Sequence, residues 1–255
     1  MKTNLVYFIS DIHLGLDTAQ QSSKDREKIL AKWLLDISST ATEILFLGDI
    51  FDYWFEYKNA STLQYPDFYH ALKTLRSRAV TVQFFTGNHD MWMKTYFTRE
   101  FGIEIHYTPM IRQISQKQFY LAHGDGLGKG DYGYKLMKTI MRNPISVFLY
   151  GLLPSKMGLG LMKFMSQKSR EKHGGQFLEF EQERLVQFCL HHAQSSAIDF
   201  YVMGHRHLMI DYKLKSGGPR YINLGDWIEY QSYAVFDGQT LELRSLLGKE
   251  TEILR

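Results

Sequence analysis

At 255 residues the chain can bury a full core as one large domain, or as one domain with an insertion. Hydrophobic content of 44% and charged content of 22% exclude a disordered or fibrous chain and are ordinary for a soluble globular protein. The single cysteine, Cys189, excludes an internal disulfide and fits a reducing compartment, and the net charge of +3 conceals a strongly uneven distribution.

The elements predicted in chain order begin with an apolar strand at Leu5–Ser10. Met1-Lys2-Thr3-Asn4 leads straight into it, and its apolar run is too short for a secretory signal core. A helix follows over Asp25–Ser38, where Ile29, Trp33, Leu34 and Ile37 recur at helical spacing. Ile44–Leu47 reads as the second strand. Pro66–Arg78 reads as a helix with Pro66 in its first turn and Phe68, Leu72 and Leu75 on one face. Val82–Thr86 is the third strand. Strand, helix, strand, helix, strand argues an α/β body.

From Gly102 to Ala122 the pattern turns to strands, including Phe119–Ala122. From Asp131 to His192 it is almost wholly helical, broken by Pro144, Pro154 and Gly174-Gly175. Cys189 falls in the helix-like stretch Leu185–His191 and reads as a small buried residue. Strands return at Phe200–Met203, Arg220–Leu224, Tyr233–Phe236 and Leu241–Ser245. Residues 1–126 and 193–255 therefore form a body, and 127–192 an insertion. Gly124–Gly130 is glycine-rich, but Lys129 is followed by Gly130 rather than Ser or Thr, so it is not a phosphate-binding P-loop.

The insertion holds most of the charge asymmetry. Between Lys129 and Lys172 nine Lys and Arg face two acids, a balance of +7 that leaves −4 for the rest. Met137, Ile140, Met141, Phe148, Leu152, Met157, Met162 and Met165 are interleaved with the charges. A basic, apolar, Met-rich helical stretch suits an anionic lipid surface or an amphiphilic anionic ligand, and equally a solvated helical face over ordinary core. No segment approaches the ~20 apolar residues that span a bilayer. Ile145–Leu153 reads as a helix with an exposed apolar face.

Five polar signatures sit just after strand runs: Asp11-Ile-His13, Gly48-Asp49, Gly87-Asn88-His89-Asp90, His123-Gly124-Asp125 and Gly204-His205-Arg206-His207. Each alone has an ordinary reading as a turn, a helix cap or a hydrogen-bonded histidine. Together, at neighbouring strand ends, they can converge. Asp11, His13, Asp49, Asn88, His123, His205 and His207 supply two carboxylates, one amide oxygen and four imidazoles. Such a mixed N/O set suits Mn²⁺, Fe or Zn²⁺, and seven side chains exceed what one ion needs. Two ions ~4 Å apart, with one bridging carboxylate, could clamp a phosphoryl oxygen. Asp-x-His is expected to place two ligands on one side of an extended strand end, and His-x-His to repeat this.

The order of these motifs resembles the calcineurin-like metallophosphoesterase superfamily. The resemblance implies a two-sheet sandwich flanked by helices, with a dinuclear site at strand ends. It implies that Asp11, His13 and His207 hold one metal, that Asn88, His123 and His205 hold the other, and that Asp49 bridges them. His89 would face the leaving group or the transition-state charge, and Asp90 and Asp125 would orient histidines. Gly48-Asp49-Ile50-Phe51-Asp52-Tyr53-Trp54, Asp131, Tyr134, the basic insertion and Leu224-Gly225-Asp226-Trp227 further resemble the UDP-2,3-diacylglucosamine diphosphatases of lipid A synthesis.

That narrower resemblance implies hydrolysis to UMP and 2,3-diacylglucosamine 1-phosphate, with the insertion as an acyl-chain cap. It makes Asp131 and Ser169, with Lys172, Asn88, His89 and His205, candidate substrate contacts. Well-known members carry Arg where this chain has His89; His can donate a proton, Arg cannot. His173 and Gln176 also stand about where that family places Asn and Lys.

The implied setting is the cytoplasm, loosely held at the inner face of the membrane. A soluble phosphodiesterase or nucleotide pyrophosphatase of the same superfamily is the alternative, and a scaffold without metals a further one. Nucleic acid is disfavoured, because the basic residues are interleaved with aliphatic and Met side chains rather than stacking platforms.

Overall fold

The computed structural model describes residues 5–57, 64–173, 177 and 179–255, with the backbone alone for 167–173. Two mixed sheets pack face to face. The first runs β11-β10-β1-β2-β3-β4, from Leu241–Ser245, Ser232–Phe236, Leu5–Ile9, Ala41–Leu47, Thr81–Phe85 and Glu104–His106. The second runs β5-β6-β7-β9-β8, from Met110–Ile114, Lys117–Leu121, Phe200–Met203, Arg220–Leu224 and Met209–Lys213.

Strand alternation builds the layers. Val6, Phe8, Leu45 and Leu47 point between the sheets, where they meet Phe119, Leu121, Val202 and Ile222. Tyr7, Ile9, Ile44 and Phe46 point the other way, onto α1 (Ser23–Ile37), α2 (Pro66–Ser77) and α3 (Tyr96–Phe101). Ser22 caps α1 by accepting from the Asp25 amide at 3.1 Å, and Pro66 opens α2 as expected.

The insertion folds as α4 (Tyr132–Arg142), α5 (Pro144–Gly151) and α6 (Ser155–His173). The breaks fall at Pro144 and Pro154, as their missing N–H groups require. The expected break at Gly174-Gly175 lies outside the described residues. α7 (Arg184–His192) behaves differently: Leu185, Val186 and Cys189 are buried against Tyr120, Tyr201 and Met203 on the outer face of the second sheet. It thus covers the body, although its sequence falls in the predicted insertion. By contrast α5 exposes Ile145, Phe148 and Leu149. Phe55, Met91 and Trp92 of the body meet Met141, Val147, Tyr150 and Met162 in a separate apolar seam.

Among the described residues one α-helix and one strand lie outside the sequence expectations. α3 is only six residues long, too short for a periodic signal. β8 begins two residues after His207 and owes its existence to antiparallel pairing with β9.

Candidate metal centre

β1, β2, β3, β6 and β7 all end at one edge of the sandwich, and each is followed by one of the five motifs. Asp11 and His13 are not on an extended strand end. Both adopt left-handed backbone, φ 53° and 50°, as do Asp49 (52°), His205 (71°) and His207 (52°). A non-glycine residue pays for that region, so tertiary bonds must hold it. The Asp11 amide donates to Gly48 O (3.1 Å), the Ile12 and His13 amides to Asp49 O (2.9 and 3.0 Å), and the Leu14 amide to Ile50 O (2.9 Å). The first motif is thereby zipped to the second. Fully buried Arg26 of α1 closes this loop, donating to His13 O (3.0 Å) and Leu16 O.

The side chains converge on Asp49. His123 Nε2 lies 3.2 Å from Asp49 Oδ2, His13 Nε2 3.8 Å, and His89 Nε2 4.0 Å. His207 Nε2 lies 3.3 Å from Asp11 Oδ1, and His13 Nε2 3.9 Å from it. Asn88 Oδ1 lies 3.2 Å from His123 Nε2. Among the described residues three overlapping groups have ligand atoms within 4.8 Å of one another: Asp11, His13 and His207; His13, Asp49 and His89; Asp11, Asp49 and His123. His205 is in none of them. Its ring stands edge-on to His123 at 5.2 Å, and its amide donates to Asp11 Oδ2 at 2.9 Å.

Four histidines are oriented alike. His123 Nδ1 is 2.8 Å from Leu47 O, His89 Nδ1 2.9 Å from Asp52 O, His207 Nδ1 3.0 Å from Asp226 Oδ2, and His13 Nδ1 3.3 Å from Asp52 Oδ1. Each partner can only accept, so Nδ1–H donates and Nε2 is left facing the cluster. His13 Nε2 and Asp11 Oδ1 are buried without a hydrogen-bond partner among the described residues. Orphaned donor atoms of two residues aimed into one oxygen- and nitrogen-lined space, with no thiolate, fit divalent metal.

The groups expected to orient histidines do other work. Asp90 accepts from the backbone amides of Gly87 (2.7 Å), Ile50 (2.8 Å), Asp49 (3.4 Å) and Phe51 (3.5 Å), fixing two motif turns to each other. Asp125 accepts from Tyr134 Oη and Lys138 Nζ, tying α4 to the body. The orienting carboxylates are instead Asp52 and Asp226. Asp52 lies three residues after Asp49 in Gly48–Trp54, and Asp226 lies in Leu224-Gly225-Asp226-Trp227. Asp131 precedes α4 and accepts from Arg184 at 2.6 Å. The side chains of Ser169 and Lys172 lie outside the described residues.

The electrostatics follow from this crowding. Burial works against charge on His123, but Asp49 and Asp11 outweigh it and push its pKa up to about 10. Burial likewise opposes charge on His207, and Asp11 with Asp226 overcomes it, to about 9. His205 is driven down to about 4 by burial and then by His123. Burial lowers His13 too, against the Asp52 bond. Asp49 is held well below the usual carboxylate range: its burial is outweighed by the imidazoles of His123, His89 and His13.

The calcineurin-like phosphoesterase family matches over residues 5–209. The chain belongs to that family. As a calcineurin-like phosphoesterase it is 37% identical, over 96% of its length and 98% of the relative's, to the UDP-2,3-diacylglucosamine hydrolase of Porphyromonas gingivalis (strain ATCC BAA-308 / W83). It is 27% identical to the UDP-2,3-diacylglucosamine hydrolase of Aeromonas salmonicida (strain A449), over 94% and 93% of the two chains. Among solved structures, Vps29 of Chaetomium thermophilum is similar at 12% identity and a TM-score of 0.46, over 94% of this phosphoesterase and 86% of that chain.

Proposed function

We propose that the chain hydrolyses the diphosphate of UDP-2,3-diacylglucosamine, giving UMP and 2,3-diacylglucosamine 1-phosphate. The observation that carries this is where the donor cluster opens. Asn88 and His89, with Asp52 and Ser166, line a narrow slot whose walls include Met91, Trp92, Met137, Met141, Met162 and Met165. A water-soluble phosphodiester has no need of a methionine-lined slot beside its reacting phosphate; an acylated sugar phosphate does. The relative that is 37% identical bears the same activity in its name.

In this reading Asp11, His13 and His207 would hold one ion and Asn88, His123 and His205 the other, with Asp49 available to both. The ions, which we take as Mn²⁺ with Fe or Zn²⁺ as alternatives that this N/O set also suits, would polarise the phosphoryl group and activate water. A P–O bond forms at the uridine-side phosphorus, and the bond to the bridging oxygen breaks with its electron pair. The sugar phosphate carries that oxygen away. His89 is placed to meet the leaving charge: Asp52 O fixes its Nδ1–H, and Nε2 faces the cluster. An arginine in this place would carry a fixed charge and could not give up its proton, whereas the imidazole can either stabilise charge or supply a proton.

The cap of this reading is α4–α6. Its acyl path would pass the Met-lined slot, and the family resemblance assigns Asp131, Ser169 and Lys172 to the sugar phosphate, the side chains of the last two lying outside the described residues. The exposed Ile145, Phe148, Leu149 and Leu152 are suited to rest on the inner face of a membrane. No described helix is long and apolar enough to cross one. Recovery of all the protein in a low-salt, detergent-free soluble fraction would count against membrane contact.

The deciding experiment is UMP release from UDP-2,3-diacylglucosamine by metal-stripped protein, with and without Mn²⁺, and with Asp49→Asn as control. Metal-dependent release absent from the variant supports the reading. Cleavage of a generic phosphodiester alone would keep the metal centre and overturn the substrate.

A further inference from the structure

α4 sorts its side chains onto two faces. Tyr134, Met137 and Met141, at helical spacing, line the apolar slot beside His89. Lys135, Lys138 and Arg142, one residue further round at each turn, line a second space: an open cavity of about 330 Å³ on the His123 side of the centre. The body closes this cavity with Thr86 after β3, the stretch His106–Pro109, and the turn from Ala122 to Leu127. The basic and the Met residues that alternate along the sequence are thus separated onto two faces of α4, one lining a space with His123 and the other a space with Asn88 and His89.

The lining is that of an anion site with an aromatic wall. Among its described residues Asp125 is the one carboxylate, set against Lys135, Lys138 and Arg142. Asp125 is taken up by Lys138 and Tyr134. Arg142 is held in place by bonds to Tyr107 O (3.1 Å) and Thr86 Oγ1 (3.3 Å). Those bonds use two of its five N–H groups and fix its plane for a further acceptor. Lys135 is tethered to Gly128 O on the same side. Tyr107 is 45% exposed, with its hydroxyl donated to Met93 O at 3.2 Å, so the ring is fixed and open to a flat partner.

We propose that this cavity seats the nucleoside monophosphate half of the substrate, its phosphate toward Arg142 and Lys135 and its base against Tyr107. The inference rests on the diphosphate reading above and adds a direction to it. The nucleotide lies on the His123 side and the acylated sugar phosphate on the His89 side. The leaving group therefore departs into the slot and UMP stays in the cavity. A cavity of this size holds one nucleotide without acyl chains.

The test is equilibrium binding of each product to the full-length, metal-loaded protein by titration calorimetry. Lys135→Ala/Arg142→Ala should raise the UMP Kd by about tenfold or more while moving the Kd of 2,3-diacylglucosamine 1-phosphate by less than about twofold. Met137→Ala/Met141→Ala should do the reverse. Tyr107→Ala should weaken UMP more than inorganic phosphate, which has no base. Unchanged UMP affinity in the first variant, or equal weakening of both products, overturns the subsite. If the wild-type chain binds neither product and does not release UMP, the substrate reading itself has failed and the subsite falls with it. Hydrolysis with insensitive UMP binding removes the subsite alone.

Discussion

The Ser166 hydroxyl stands 3.0 Å from both carboxylate oxygens of Asp52. Asp52 in turn meets His13 Nδ1, and Ser166 is 3.2 Å from His89 Nδ1. Asp52 thus joins a helix of the insertion to two histidines of the metal centre, His13 through its carboxylate and His89 through its backbone carbonyl. Removing either partner should have separable effects. Asp52→Ala takes the Nδ1 partner from His13 and should weaken metal affinity by about 10–100-fold. Ser166→Ala leaves Asp52 bound to His13 and should raise KM a few-fold with metal content unchanged. Metal analysis after dialysis, alongside steady-state kinetics, distinguishes them; equal metal loss in both variants would refute the division.

Asp226 plays the corresponding part for His207. It also accepts from the amides of Glu229 (2.7 Å) and Ile228 (3.1 Å), so its carboxylate is held before any metal arrives. His207 and the amides hold Asp226 below the usual carboxylate range despite its burial. Asp226→Asn keeps the shape but can offer its NH₂ to the histidine, which would reverse the tautomer and turn a protonated Nε2 toward Asp11. Metal affinity should fall by about tenfold or more with little change in Tm. A large Tm loss would mean that Asp226 acts mainly through the Ile228–Glu229 turn.

Much of this was legible in the sequence, for definable reasons. The strands before the five motifs announce themselves by apolar composition, and the motifs by residue types that ordinary turns seldom combine. The seven candidate ligands are near one edge because parallel strands end side by side. What sequence spacing could not carry was conformation. Asp-x-His looked like a strand end, but Asp11 and His13 reach the site through left-handed backbone enforced by β2's loop. Asp90 was expected beside a histidine, because a carboxylate near a ligand motif has that default; four backbone amides claim it instead. α7 read as insertion because it is helical like its neighbours. Only the partners of Leu185, Val186 and Cys189 show that it belongs to the body.

Gly204 offers a steric test of the same convergence. A Cβ there would overlap Ser10 Oγ and Asp11 Oδ2. Asp11 cannot yield easily, since Oδ2 also accepts from Ser10 and from the His205 amide. Gly204→Ala should cost about 1–3 kcal/mol of stability by overpacking and should displace Asp11 from His207. Activity should fall by much more than Tm, read on the same preparation by thermal melting and metal content. A variant with normal metal content would show that the loop between β7 and β8 can shift without moving Asp11.

The metal-free protein should also bind ions with proton release. His123 and His207, with pKa values of about 10 and about 9, are protonated at pH 7.5 and must lose that proton to offer Nε2 to a metal. His205, at about 4, is already neutral and releases none. Calorimetric titration of Mn²⁺ in two buffers of different ionisation enthalpy should therefore show one proton released by each of the first two, fewer as pH rises past 9. The same groups set a stability trend. Their folded pKa lies above the unfolded value near 6.5. Their stabilisation is complete below pH 6.5 and is lost as pH rises toward 9 to 10. The Tm of metal-free protein should fall across that window, and His207→Gln should flatten the fall. With metal in place of the protons the window disappears, so a metal-loaded sample that lost stability over the same range would count against His123 and His207 as ligands.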